Sequence, residues 1–199
     1  MTSYAQTFID ETIEILGMIP IEEIDAVVDI VRETRDRGGR IFFCGSGGGA
    51  GHSSHAASDF RKLGRVEAYS VTDNVSELTA RINDEGWDNS YADWLKASRF
   101  GPDDCLFVFS VGGGNVARSI SINLVNAMQL ARQVGASITG VVGRDGGATK
   151  EWADACIHVP TVNPATVTAQ TEGLQALFWH LIVTHPGLSP ETPKWESTV

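Results

Sequence analysis

Residues 41–59 have the sequence IFFCGSGGGAGHSSHAASD, which predicts a buried strand, a glycine loop and a helix in succession. The apolar run at 41–44 is typical of a strand that is covered on both faces. Backbone N–H groups of a glycine loop can converge on an anion, and the helix N-terminus adds a partial positive charge. Within the helix, His55 and Asp59 lie one turn apart on the same face. The stretch therefore predicts a phosphate site with an imidazole–carboxylate pair beside it.

The rest of the chain alternates strands with helices. Four further apolar runs predict strands at 66–71, 105–109, 138–142 and 157–159. The predicted helices cover 3–37 with a break at Pro20, pieces of 74–100 broken near 84–86, the second glycine loop to about 134, 148–154 and roughly 165–184. This alternation predicts an α/β fold in which helices cover both faces of a parallel sheet.

The length of 199 residues predicts a single domain. It divides into N-terminal helices at 1–37, an α/β core at 38–185 and a polar C-terminal tail at 186–199. The helical lead is longer than one sheet requires, and Ile9, Ile13 and Leu16 fall on one face of it. We expect this face to pack against another subunit.

Composition narrows the classes of partner. The formal net charge is −10 and there is no block of Lys or Arg, which argues against a nucleic-acid partner. A small phosphorylated ligand remains compatible, because a nest of backbone amides needs no net charge. Cys44 and Cys105 fall in or beside predicted strands, so we expect reduced thiols in a core. The chain shows neither a signal peptide nor a membrane-length apolar run, which predicts a cytoplasmic protein with no membrane partner.

The strand–glycine-loop–helix unit recurs once, where a strand runs into Ser110-Val111-Gly112-Gly113-Gly114-Asn115. Ligands of open α/β sheets bind outside the carboxyl ends of the strands, so the two glycine loops can face one ligand.

A dinucleotide site is the alternative interpretation, since Gly45, Gly47 and Ala50 satisfy G-x-G-x-x-A. The acidic residue of that motif belongs near the end of the second strand, whereas Glu67 comes too early and Asp73 too late. Neither loop is followed by Lys-Ser or Lys-Thr, which excludes a P-loop. We therefore expect no nucleotide cofactor.

Four segments, in the order CGSGGGAGHSSHAASDF, TDNVSELTARINDEGWD, FSVGGGN and VVGRDGG, resemble the sugar isomerase (SIS) domain family. Within that family they are most similar to the sedoheptulose 7-phosphate isomerases, and the resemblance covers nearly all of the chain. It implies a flavodoxin-like, three-layer α-β-α sandwich around a five-stranded parallel sheet. It also implies a homotetramer whose active sites lie at subunit interfaces.

The resemblance implies a set of substrate-binding residues, with departures. The first loop matches the family, although Gly49 stands where the family has a serine; in the second loop Val111 and Gly112 replace two hydroxyl residues that hold the phosphate. Each lost charge-assisted hydrogen bond is worth about 1.5–3 kcal/mol. Asp73 and Asn74 compete for the position of the family's aspartate after the second strand. Ser53, Ser54 or Asn115 could substitute for the lost hydroxyls. The expected substrate-binding residues are Ser46, Gly47, Gly48, Ser53, Ser54, Asp73, Asn74, Ser110, Val111, Gly112, Asn115 and Glu172.

The resemblance also assigns the chemistry. The family's H-x-x-x-E is matched by His55 and Asp59, and its C-terminal Gln and His are matched by Glu172 and His180. Aldose–ketose isomerisation needs two titratable groups with separated pKa values. We assign Asp59 as the carrier of the proton between C1 and C2 and His180 as its acid–base partner, acting through a cis-enediol.

The same four residues, His55, Asp59, Glu172 and His180, resemble a zinc site of some family members, which implies one zinc ion per subunit. Eight residues of helix rise about 12 Å, so Glu172 and His180 cannot both ligate one ion from one straight helix. Either the helix begins after Glu172, or the ligands come from different subunits.

The function implied is isomerisation of sedoheptulose 7-phosphate to D-glycero-D-manno-heptose 7-phosphate, the first step of nucleotide-activated heptose biosynthesis. A non-catalytic SIS module that binds sugar phosphates, or an isomerase of another sugar phosphate, is the alternative. Taken alone, His55 and His180 are also compatible with structural histidines that are hydrogen-bonded inside the fold.

Overall fold

A computed structural model describes residues 2–189 and contains one sheet of five parallel strands. The strands are β1 (Ile41–Gly45), β2 (Ala68–Ser70), β3 (Cys105–Ser110), β4 (Ser137–Val142) and β5 (Ala155–His158), in the spatial order β2-β1-β3-β4-β5. Every neighbouring pair is parallel, with Ile41 opposite Cys105 in the central pair. The predicted α/β architecture with a flavodoxin-like strand order is confirmed.

The helices are α1 (Tyr4–Met18), α2 (Ile21–Asp36), α3 (Gly48–Lys62), α4 (Val75–Glu85), α5 (Ser90–Ala97), α6 (Ile122–Val134), α7 (Gly147–Trp152) and α8 (Val167–Thr184). Pro20 separates α1 from α2 as predicted, since it precedes the first residue of α2 in an extended conformation. Gly86, with φ of 88°, ends α4 where the sequence predicted a break.

Two apolar clusters lie on opposite faces of the sheet. On one face α1, α2, α3 and α8 pack on Phe43 and Phe107; on the other, α5, α6 and α7 pack on Phe42 and Leu106. The strands β1 and β3 are buried along almost their whole length because both of their faces are covered. The fold is therefore the predicted three-layer sandwich.

The direction of winding changes between β1 and β3. The chain leaves β1 into α3 on one face and leaves β3 toward α6 on the other face. A crevice opens at such a switch point, outside the carboxyl ends of the strands. Both glycine loops border this crevice.

The segment after the second glycine loop differs from the prediction of an immediate helix, because α6 begins only at Ile122. Asn115 and Ile120 instead form an antiparallel bridge, and the side chain of Asn115 accepts the N–H of Arg118. Ser119 and Ser121 have φ of 51°, a left-handed conformation that no helix accommodates. Residues 115–121 thus form a bridged loop before α6, which we call the 115–121 loop.

Smaller differences concern edges and termini. The strand β2 is shorter than predicted, and β5 begins two residues earlier, at Ala155. Most of the predicted polar tail lies outside the described residues, which end at 189. Among the helices of residues 2–189, none has the length and apolar character that crossing a membrane requires.

Candidate active site

The helices α3 and α8 pack side by side and bring three predicted residues together. The Oδ2 atom of Asp59 lies 3.5 Å from Nε2 of His55 and 3.5 Å from Nε2 of His180. The side chain of Asp59 is only 8% exposed, whereas those of His55 and His180 are 57% and 41% exposed. Asp59 therefore forms the floor of the cluster and the two imidazoles form its open rim.

Two further contacts orient this cluster. The indole Nε1 of Trp179 donates to Oδ2 of Asp59 at 3.4 Å, and the indole ring stacks on His180 with ring centroids 4.8 Å apart. The Nδ1 atom of His180 lies 2.7 Å from the carbonyl oxygen of Ala176. Because a carbonyl only accepts, Nδ1 carries a proton, and Nε2 is the atom that faces Asp59.

The chemistry of these donors fits a metal ion. One ligand atom from each of His55, Asp59 and His180 can be chosen so that all lie within 4.8 Å of one another. Two imidazoles and a carboxylate are the ligands of many zinc sites with an open position. The Ala176 carbonyl and the Trp179 N–H provide the outer hydrogen bonds that such ligands usually have.

Glu172 does not join this cluster. It lies within α8, as His180 does, so of the two alternatives the one in which the helix begins after Glu172 is excluded. Its carboxyl group lies against Gly48, the first residue of α3, where an added Cβ would come within 2.5 Å of the carboxyl carbon. A carboxylate is favourable at a helix N-terminus. Within one chain, the metal ligands that can converge are therefore His55, Asp59 and His180.

His52 lies between Glu172 and the cluster. Its ring is 5.0 Å from that of Trp179, and its Nε2 atom is buried with no hydrogen-bond partner in the part of the chain that is described. Burial lowers the pKa of His52, against the opposing effect of the nearby Glu172 carboxylate. His52 therefore lies on α3 between the first glycine loop and the cluster, packed against Trp179.

Side chains of α5 and α6 hold the first glycine loop in place by hydrogen bonds. The hydroxyl of Tyr91 donates to the carbonyl of Gly45 at 2.7 Å, and Nδ2 of Asn123 donates to Oγ of Ser46 at 3.3 Å. Burial raises the pKa of Tyr91 to about 12, so the phenol stays protonated and keeps donating. Ser46, Gly47 and Gly48 are exposed at the crevice.

The second glycine loop is fixed by its own carbonyl groups. The carbonyls of Gly113 and Gly114 accept the N–H groups of Thr149 and Ala148, respectively, which lie in the first turn of α7. The hydroxyl of Ser110 accepts the N–H of Gly113, and the carbonyl of Val111 accepts that of Gly143. Val111 and Gly112 remain half-buried at the crevice and offer no hydroxyl.

The other predicted substrate-binding residues separate into three places. Ser54, Asp73 and Asn74 line one groove of about 780 Å³ on the outer side of α3. Asn115 lines a cavity of about 410 Å³ against α7. Ser53 requires a correction, because its hydroxyl is buried and donates to the carbonyl of Gly49 at 2.8 Å, which removes it from the ligand-facing set.

Three residues of the site escaped the sequence analysis. Nothing in the local sequence marks the N–H of Trp179 as the donor to Asp59. Tyr91 and Asn123 reach the first glycine loop from α5 and α6, which only the tertiary fold brings beneath it.

Comparison with family models identifies the domain. Residues 7–143 match the SIS domain. The chain belongs to the SIS domain family. Among curated relatives, the lincomycin biosynthesis protein LmbN of Streptomyces lincolnensis is 34% identical over 175 residues, which are 82% of this chain and 62% of that protein. The chain therefore spans less than two thirds of LmbN.

Two phosphoheptose isomerases are similar to this SIS domain protein over nearly its whole length. The phosphoheptose isomerase of Rhodospirillum rubrum is 30% identical over 185 residues, 90% of this chain and 92% of the relative. A phosphoheptose isomerase structure from Francisella tularensis superposes with a TM-score of 0.77 at 23% identity, covering 92% of this chain and 97% of that one. The superposition shows that the fold is shared.

Proposed function

We propose that this protein is an aldose–ketose isomerase that converts sedoheptulose 7-phosphate into D-glycero-D-manno-heptose 7-phosphate. The observation that carries the proposal is the convergence of His55 and His180 on Asp59, with His55 and Asp59 on the helix that begins at the first glycine loop. The extended similarity to a phosphoheptose isomerase supports the same substrate class.

The reaction moves two protons in the same direction, one from C1 to C2 and one from the oxygen on C1 to the oxygen on C2. Asp59 removes a proton from C1 of the ketose and returns it to C2, with a cis-enediol between the two steps. His180 moves the other proton, from the C1 hydroxyl to the developing C2 hydroxyl. The Trp179 N–H and the Ala176 carbonyl hold the two groups in place for these transfers.

The spacing of residues along α3 supports a long substrate. His55 lies seven residues after Gly48 on α3, a separation of about 10 Å along the helix. A phosphate near the glycine loops and a carbonyl at the cluster are therefore the two ends of an extended ligand. A seven-carbon sugar with its phosphate on C7 and its carbonyl on C2 has this form, whereas a triose phosphate is too short.

The same three converging donors, His55, Asp59 and His180, would hold zinc when the ion is present, and Asp59 and His180 would then be ligands rather than free acid–base groups. When bound, zinc polarises a carbonyl oxygen as a Lewis acid. Glu172 would contribute only from another subunit, because its own His180 lies about 12 Å along the same helix.

A homotetramer with interfacial active sites is part of the proposal. The chain exposes large apolar side chains along the N-terminal helices, and Ile13 is 63% exposed. Leu177 and Leu181, which flank His180 on α8, are exposed as well. A partner that covers both surfaces would also enclose the cluster. The cytoplasmic location and the absence of a nucleic-acid partner stay predictions.

Incubation of the purified protein with sedoheptulose 7-phosphate, followed by chromatographic detection of the aldose, tests the function. Dephosphorylated sedoheptulose is the matched control, since the proposal requires the phosphate. Conversion of another sugar phosphate alone would favour the second candidate, an isomerase of different specificity. The loss of hydroxyl groups at Val111 and Gly112 is the observation in favour of that candidate. Binding without conversion would contradict both and favour a non-catalytic SIS module.

A further inference from the structure

The groove of about 780 Å³ on the outer side of α3 lies between α3, β2 and α5. It contains Ser54 and Ser58, each of which directly precedes a residue of the catalytic cluster, but none of the cluster residues lines it. Adjacent positions of a helix point about 100° apart, so one helix carries both places on different faces. No described residue of α1 or α8, where we expect subunit contacts, lines the groove either. Its volume falls within about 300–1,000 Å³, the range of small-molecule sites, so it can hold a ligand of its own.

Two cationic side chains lie along this groove. Arg61 and Lys62 are in the last turn of α3, and within residues 2–189 neither forms an ion pair with a carboxylate. Nη1 of Arg61 donates to the carbonyl oxygen of Ala68 at 3.3 Å, and the guanidinium carbon lies 5.4 Å from the centroid of the Tyr69 ring. These contacts hold the guanidinium in place and leave N–H groups for a ligand. In a protein of net charge −10, two such cations side by side attract an anion to this place.

Hydrogen-bonding groups that are not engaged elsewhere lie in the same groove. The carboxylate of Asp73 and the hydroxyls of Ser54 and Ser58 are exposed, and none of the three has a hydrogen-bond partner in the described part of the chain. Asn74 differs, because its Oδ1 atom accepts the N–H of Glu77 at the start of α4. A carboxylate accepts the hydrogen of a ligand hydroxyl, and a serine hydroxyl both donates and accepts. These groups therefore suit a polyol.

An indole ring supplies an apolar wall. Trp94 is half-buried and lines the groove, and its ring packs on Phe42 with ring centroids 5.9 Å apart. Phe42 also stacks on Tyr69, with centroids 5.7 Å apart, so both rings are held at the edge of the sheet. The buried side chains of Ala57 and Ala68 are small and leave space beside the indole. An apolar wall with a few polar groups around it is the usual composition of a small-molecule site.

We propose that this groove is a second ligand site, which binds a phosphorylated sugar. The phosphate lies on Arg61 and Lys62, Asp73 accepts the sugar hydroxyls, and the C–H groups of the sugar pack on Trp94. A free sugar phosphate and a sugar carried on a nucleoside diphosphate share this chemistry. The site goes beyond the isomerase reaction, because its ligand is held away from the acid–base groups of the cluster.

Fluorine NMR of the protein labelled with 5-fluorotryptophan tests the site, because Trp94 reports on the groove and Trp179 on the cluster. The chain has five tryptophans, and Trp94→Phe and Trp179→Phe assign these two signals. Glucose 6-phosphate and uridine diphosphate glucose are the probes for the two sources. We expect a saturable shift of the Trp94 signal with at least one of them, and the probe with the lower Kd identifies the source. Glucose at the same concentration should leave the signal unchanged. No saturable shift with either probe would overturn the inference.

Lys62→Gln and Lys150→Gln form a matched pair, because each removes one exposed positive charge and Lys150 lies on α7. We expect the Kd of the bound probe to rise about tenfold or more in Lys62→Gln alone, since a charge-assisted hydrogen bond to the phosphate is lost. Added salt should weaken binding to the unaltered protein more than binding to Lys62→Gln. Thermal unfolding checks that both variants fold, and an equal Kd in the two would contradict the site.

This inference and the isomerase fail separately. Conversion of sedoheptulose 7-phosphate by a protein whose Trp94 signal neither probe shifts would retain the isomerase and reject the groove site. A saturable shift of the Trp94 signal that is weakened in Lys62→Gln, in a protein that converts no sugar phosphate, would retain the groove site and reject the isomerase. A shift of the Trp179 signal alone would place the probe at the cluster and likewise reject the groove site.

Discussion

The Nε2 atom of His180 in α8 lies 3.5 Å from Oδ2 of Asp59 in α3. The two helices bury their shared side against the sheet, so this pair is held by the core rather than by a mobile loop. Catalytic groups on rigid helices keep the geometry that proton transfer requires.

The catalytic pair is tested by Asp59→Asn and His180→Ala, each made singly. Asn at position 59 keeps an oxygen for the Trp179 N–H but is a far weaker base, so we expect kcat to fall about a hundredfold to ten-thousandfold. His185→Ala, on a histidine beyond the cluster, is the control. Circular dichroism should show a retained fold, and full activity in both variants would refute the assignment.

Zinc binding is tested by thermal unfolding with and without added zinc. A ligand at a hundred times its Kd stabilises the folded state by about 2.7 kcal/mol, so the Tm should rise. We expect the rise to disappear in His55→Ala, which loses a donor. Glu172→Gln should retain it if the ligands come from one chain; loss of the rise in that variant would show that Glu172 of another subunit completes the site.

Alanine substitutions at two adjacent glycines, Gly112 and Gly113, should differ in their effect on stability. Gly113 has φ of 66°, and a Cβ there would collide with the carbonyl oxygen of Gly146, so Gly113→Ala should lower the free energy of unfolding by more than about 1 kcal/mol. Gly112 has neither a positive φ nor a neighbour within 4 Å, so Gly112→Ala should leave it nearly unchanged. Urea unfolding measures both, and equal stability of the two variants would contradict the described loop.

His52 predicts a dependence of stability on pH. Its pKa is lowered in the folded protein, so below the ordinary value of 6.5 the unfolded chain binds the proton more readily. The stability contributed by neutral His52 is therefore present above pH 6.5 and is lost as pH falls through the folded pKa. His52→Gln should flatten the decrease in unfolding free energy on acidification below that pH, and an unchanged slope would rule out this contribution.

The apolar face of α1 predicts an oligomer. Ile13→Glu places a charge in the centre of the expected contact, so sedimentation velocity should show smaller species than for the unaltered protein. Glu14→Gln, at the next position, is the control and should leave the assembly intact. A monomeric unaltered protein would contradict the proposed tetramer.

The sequence predicted the parts of this molecule that depend on local pattern. The apolar run at 41–44, followed by a glycine loop, predicted a buried strand, and the spacing of His55 and Asp59 placed both on one face of α3. The position of His180 came from the family resemblance, because its surroundings in the sequence look like an ordinary core helix.

Other features depended on tertiary contacts that periodicity does not reveal. The sequence could not distinguish Ser53, which faces the core, from Ser54, which faces the groove, because the exact orientation of α3 sets both. The 115–121 loop was missed because residues 116–121 continue a pattern that suits a helix, while the Asn115–Ile120 bridge prevents one. The hydrogen bond from Asn123 to Ser46 could not be predicted either, because it depends on the packing of α6 beneath the first glycine loop.

A proton NMR time course with sedoheptulose 7-phosphate in D₂O tests directly whether the protein is an isomerase that acts through an enediol. We expect new anomeric signals of an aldoheptose phosphate with deuterium at C2, because the proton carried by Asp59 exchanges with solvent at the enediol stage. Asp59→Asn should show no such signals over the same period. Conversion with the C1 hydrogen transferred intact to C2, in every molecule, would contradict the enediol route, and no conversion at all, with or without zinc, would contradict the isomerase.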